Sequence, residues 1–156
     1  MEHKRGGDII MKKVRNGMFE TNSSAVHTLV VADSGLEPSH LPLDKDGYIL
    51  ADFGNFDRDY HIYSSQEDKL SYLLTECYYL NGWHDDIRTT SYFMNIEDAI
   101  CDYAGAKGIR ILGNVEPYIN HQEQPEYGFH FVNEWVEGSV INFVFNKYIS
   151  IETNSD

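Results

Sequence analysis

Between residues 64 and 82 the chain spells out one element almost completely. Leu70, Leu73, Leu74, Cys77 and Leu80 recur at the three-and-four spacing that lines up apolar side chains on one face of an α-helix. Ser64 is placed to cap this helix, Glu67 three residues on can return the bond to the cap, and Gly82 supplies the stop. A second helix is predicted from Asn95 as cap, with Glu97 and Asp98 at its positive end. It buries Ile96, Ala99, Ile100 and Tyr103 and ends by Gly105 or Gly108.

Strands are expected where β-branched and apolar residues cluster in short runs. These are residues 25–32, 48–52, 109–112, 129–135 and 148–151, while 139–145 fits either helix or strand. Asn16-Gly17 is a turn signal between 12–15 and 18–20. Gly35, Pro38, Pro42 and Asp44-Lys45-Asp46-Gly47 mark residues 33–47 as loop, and 53–60 reads as an acidic, aromatic loop. Short strands interspersed with two or three helices predict an α+β fold, its strands mostly antiparallel. Residues 11–156 are read as one domain, with 1–10 a loose tail or extended start ahead of Met11.

Composition excludes several classes. With 42% hydrophobic and 24% charged residues, the chain is globular in type. Cys77 and Cys101 stand 24 apart inside apolar helical patterns, which argues for buried free thiols and against a zinc ribbon or a disulfide scaffold. There is no secretory signal and no apolar run near 18 residues, so neither membrane association nor secretion is expected and the reading is cytoplasmic. The net charge is −13, and it is uneven. Five of the 12 basic residues fall in the first 15 positions, leaving 7 basic against 23 acidic residues in the remainder. Such a body repels nucleic acid, whose binding needs clustered Lys and Arg, and attracts a basic protein surface.

Two segments carry candidate chemistry. In the first, Phe-Glu-Thr-Asn-Ser-Ser-Ala-Val-His at 19–27 runs straight into an apolar stretch, and so many polar groups need partners or a site. Ser23 or Ser24 could act as nucleophile with His27 as base, Glu20 or Asp156 as the orienting acid and His121 as a partner from another strand. No Gly-x-Ser-x-Gly elbow accompanies them. On a strand, His27 would share a face with Leu29 and serve as a core histidine instead. The paired His-x-Thr elements of two-histidine phosphoesterases are missing, as are phosphate-binding glycine loops. His84-Asp85-Asp86 and His121 with Glu123 read as ordinary solvated charge, so no metal and no cofactor is expected.

The second segment alternates Asp52, Asp57 and Asp59 with Phe53, Phe56 and Tyr60. Aromatics flanked by carboxylates suit an arginine-rich surface through ion pairing and stacking, and Asp85 and Asp86 extend the field.

The opening Arg15-Asn-Gly-Met-Phe-Glu-Thr-Asn-Ser-Ser followed by His27 resembles a segment of small proteins of bacteriophages and Firmicutes prophages. Tyr118-Ile119-Asn120-His121-Gln122 and the stretch from Asn142-Phe143-Val144-Phe145-Asn146 to Asp156 are similar to later pieces of the same group. Ala25 stands where the group has a third serine, and Asn120 where it has an aspartate. The resemblance implies a phage or prophage context, hence the cytoplasm of an infected or lysogenic bacterium, and no particular reaction. Together these readings predict a binding protein rather than an enzyme. Its expected partner is a basic host protein, such as a nucleic-acid-binding defence effector, blocked in the manner of anti-CRISPR and other anti-defence inhibitors. The alternative is a small enzyme or ligand-binding protein centred on residues 20–27 and His121. Nothing in the sequence sets the oligomeric state.

Overall fold

In the computed structural model, residues 11–14, 28–32, 35–56, 60–84, 86–119 and 137–153 are described, with backbone only at 11–14, 28–32 and 137–139. Their order is β1 (Met11–Val14), β2 (Thr28–Ala32), β3 (Tyr48–Ala51), β4 (Asn55–Phe56) and β5 (His61–Tyr63), then α1 (Gln66–Leu80) and α2 (Ser91–Ala104). β6 (Gly108–Ile111), β7 (Tyr118–Ile119), α3 (Glu137–Phe145) and β8 (Ile151–Thr153) follow. This is a single-domain α+β fold.

The leading helix forms where its periodicity predicts, with the cap one residue later. Ser65, in extended backbone, accepts from the Asp68 N–H at 3.0 Å, because Gln66 is already helical. Gln66 instead clamps the preceding loop: its amide donates to the Pro38 carbonyl and accepts from the His40 N–H. At the far end Asn81 and Gly82 close the helix, Gly82 with a φ of 72°. α1 is buried nearly all round, against α2, α3, β3 and β7.

α2 starts earlier than Asn95. Thr90 is the cap, its hydroxyl accepting from the Phe93 N–H at 3.3 Å. Phe93 extends the apolar stripe of Ile96 and Ile100 back by one turn, and burying it commits the intervening residues to the helix. Residues 139–145 resolve as helix: Val140, Phe143 and Val144 are buried at helical spacing. The closing strand lies at 151–153 rather than 148–151, because the chain turns at Lys147 and Tyr148 before extending. The strand expected at 129–135 and the turn at Asn16-Gly17 lie outside the described residues.

Among the described strands three pairings are antiparallel and two are parallel. β1, β2, β8 and β5 form one antiparallel sheet in that order. β3 pairs parallel with β6 and β4 parallel with β7, so residues 48–56 run beside 108–119 with both helices in between. This double track has a mismatch. Between Ala51 and Asn55 lie three residues, and between their partners Ile111 and Tyr118 lie six. The longer segment, residues 112–117, carries the surplus as an exposed bulge and forms one wall of a cleft beside the carboxyl end of α1.

Candidate functional site

The acidic, aromatic segment divides once folded. Phe53 and Phe56 are 4% and 2% exposed, which corrects the expectation that they offer surface contacts. Phe53 packs on Tyr78, and Phe56 meets Tyr63 and Tyr72 edge-on at 4.8 and 5.1 Å. The reason is the short β4, which points Phe56 at α1 while the Gly54 N–H is taken by the Thr75 hydroxyl at 2.9 Å. Tyr60, by contrast, is 60% exposed and its hydroxyl donates to Glu152 at 3.2 Å, an arrangement that raises its pKa.

Asp52 is a structural clasp. Its two carboxylate oxygens accept from the Gly113 and Asn114 N–H groups at 3.0 and 2.9 Å, and one also accepts from Phe53. It thereby spans the mismatch in the double track and fixes the root of the 112–117 bulge. Asp86 is exposed, its carbonyl accepting from the Asn81 amide. Asp57, Asp59 and Asp85 lie outside the described residues, as do Glu20, Ser23, Ser24, His27, His121 and Asp156. Among the described residues no group of three or more His, Cys, Asp or Glu is arranged to hold a metal ion.

Sequence reasoning did not single out the buried polar centre of the fold. Lys69, 1% exposed, donates to the carbonyls of Asn146 and Ile149, both at 2.8 Å. Burial lowers its pKa to about 8, against an opposing pull from the Glu37 carboxylate. Asn146, also buried, bonds the Asn142 amide oxygen and caps the Tyr148 N–H. A cleft of about 410 Å³ opens beside this centre, lined by residues that include Glu37, His40, Ser65, Gln66 and Lys147. Lys69 occupies a position that a helix pattern assigns to the flank of the apolar stripe, where lysine ordinarily snorkels to water.

A second cleft, about 310 Å³, lies at the opposite end of α1. Tyr78, Trp83 and His84 form one wall and Val115, Glu116 and Pro117 the other. Trp83 has a φ of 70°, the only positive value at a non-glycine position among the described residues, and its side chain is 61% exposed. Its N–H donates to the Tyr78 carbonyl at 3.0 Å, and the Asn81 amide reaches the carbonyls of His84 and Asp86.

Several surface cations are paired within the chain, and among the described residues the interior holds one charge of each sign, Lys69 and Glu76. Arg110 bonds Asp44 at 2.7 Å over the Tyr48 ring, Arg88 sits 3.7 Å from Glu97 and donates to the Ile109 carbonyl, and Lys45 faces Asp46. With Lys69 buried, most cations of the described body are matched or enclosed. The exposed face of α2 instead presents Asp98 and Asp102 one turn apart, in its carboxyl-terminal half. No helix among the described residues is long and apolar enough to cross a membrane. Set against known protein families, curated proteins and solved structures, the chain finds no match.

Proposed function

We propose that this chain acts by binding, as an acidic accessory protein of phage or prophage origin that occupies the basic, nucleic-acid-binding face of a host defence protein. One observation carries the reading: exposed carboxylates on α2 stand with no cation in its last turn, while Lys45, Arg88 and Arg110 already face carboxylates of this chain. Asp98 and Asp102 stand on the exposed face of α2, at i and i+4 near its negative end, and no basic residue occupies its last turn. Like charges so placed weaken a helix by a few tenths of a kcal/mol. A solvated face maintained against its own helix dipole suits a surface used for its negative potential. Glu116 adds an exposed carboxylate at the second cleft, and Asp86 another on the loop that follows α1. The mechanism is electrostatic competition, with carboxylates taking the place of phosphates and steering the encounter at low salt.

The test is a pull-down from nuclease-treated bacterial lysate, comparing the wild-type chain with the triple variant Asp86→Lys, Asp98→Lys, Asp102→Lys at low and high salt. Retention of a basic nucleic-acid-binding protein that is released by salt and lost in the variant is the expected result. Equal retention by the variant, or no basic protein retained, would remove the reading.

A further inference from the structure

We infer that the cleft between Trp83 and Glu116 is a receptor for one guanidinium group, the arginine side chain of a basic protein partner. This rests on the binding reading above and gives it a specific anchor.

Its geometry is held from both sides before anything binds. On the α1 side, the helix ends with Gly82 and Trp83 both at positive φ, so the tryptophan is turned out of the continuing helical path. For a bulky residue that backbone is strained, and such strain persists only where the surroundings fix it. Here the fixing groups are the Tyr78 carbonyl and the Asn81 side chain. The ring itself rests edge-on against Tyr79, with centroids 4.9 Å apart, and Tyr79 in turn meets Tyr78. On the opposite side, the Asp52 clasp anchors the first residues of the bulge that carries Glu116. An exposed indole on a strained but pinned backbone, facing a carboxylate across a cleft, is expensive to maintain for packing alone.

The chemistry selects a planar cation. Indole gives the strongest cation–π attraction of the natural rings, Tyr78 adds a second ring to the same wall, and Glu116 supplies the counter-charge from the other. Among the described residues no lysine or arginine lines the cleft. The fold already uses this combination elsewhere: the Arg110 guanidinium lies 4.1 Å from the Tyr48 ring centre while bonding Asp44. In the Trp83 cleft the ring and the carboxylate are supplied by this chain and the guanidinium by the partner. An arginine fits better than a lysine because its flat face stacks on the indole while its edge reaches the carboxylate.

The probe is N-acetyl-arginine amide, with N-acetyl-lysine amide as its charge-matched control, titrated against the full chain while the backbone amide resonances of residues 113–116, present in every variant, are followed. A saturable shift with the arginine compound is expected, several-fold weaker with lysine, and reduced at least fivefold in Glu116→Gln and Trp83→Asn. Asn tolerates the positive φ, so Trp83→Asn keeps the loop while removing the ring. No saturable shift, or one unchanged in both variants, overturns the inference. The two readings separate cleanly. If the basic protein partner is retained by Trp83→Asn as by wild type, the cleft is not its anchor although the acidic face stands. If the arginine compound binds and no basic protein is retained, the cleft stands and the acidic-face reading falls.

Discussion

The Lys69 ammonium donates to the backbone carbonyl of Asn146 at 2.8 Å, tying the first turn of α1 to the turn that follows α3, 77 residues away in sequence. A buried cation here joins two elements through main-chain oxygens, with the Ile149 carbonyl as its second acceptor.

Its titration gives the first prediction. Burial holds the folded pKa at about 8, below the 10.5 of an exposed lysine. Below pH 8 the group is protonated in both states and its burial weighs against the fold. Between 8 and 10.5 the unfolded chain binds more protons, so the contribution of Lys69 to stability rises with pH through that window. Urea denaturation of wild type and Lys69→Met at pH 7.5 and 10 should show the wild-type advantage growing by about 2 kcal/mol, from 1.36 kcal/mol per pKa unit. A difference that stays flat would show that the ammonium is solvated. The comparison with Lys69→Met cancels the buried Tyr72 hydroxyl, whose raised pKa acts in the opposite sense.

Thiol chemistry follows from the same low-dielectric interior. Cys77 is fully buried with its pKa pushed well up, and Cys101 is raised to about 11 by burial and by the nearby Glu97 and Asp98. At pH 8 both are almost wholly protonated in the fold, and the thiolate is the reactive species. Iodoacetamide should therefore label neither in the native chain over minutes and both in urea, as read by intact mass. Rapid native labelling of either would contradict the packing of α1 against α2.

Replacing Asp52 by Ala removes the acceptors of three N–H groups, those of Phe53, Gly113 and Asn114, that water can reach in part. The expected cost is about 1–2 kcal/mol by chemical denaturation, with faster amide exchange confined to 112–117. Unchanged exchange there would mean that the bulge is held by something other than the clasp.

Two glycines separate backbone strain from steric exclusion. Gly105 closes α2 at a φ of 72° with open space where a Cβ would stand, so Gly105→Ala should cost about 1 kcal/mol. At Gly54 the added Cβ would meet the Phe56 ring at 2.5 Å, inside the core. Gly54→Ala should cost more, about 2–3 kcal/mol, and the reverse order in thermal denaturation would refute the placement of Phe56.

Legibility in the sequence followed the range of the interactions. α1 was readable because its stripe, its capping serines and Gly82 all lie within twenty residues. The start of α2 is legible only in the fold, because Thr90 and Phe93 declare themselves only once Phe93 is buried in the core. Phe53 and Phe56 looked like surface aromatics beside Asp52, yet their environment is set by Tyr72 and Tyr78 from another element. Lys69 could not be found by pattern, since its acceptors are carbonyls 77 and 80 residues downstream. The Trp83 cleft carried one local signal, a bulky residue directly after the helix-ending Gly82. Its second wall depends on the unequal spacing of two parallel pairings.

Those parallel pairings also govern how the chain reaches its native state. Tyr48 and Gly108 are partners 60 residues apart, and neither β3 nor β6 has another partner strand within its own sheet. Closing so long a loop before the enclosed helices have compacted it costs entropy that four residue pairs do not recover. The track at 48–56 and 108–119 therefore zips late, after α1 and α2 have docked. Contacts made that late are absent from the folding transition state, so changes at Ile49 or Ile109 act mainly on how fast the native chain comes apart.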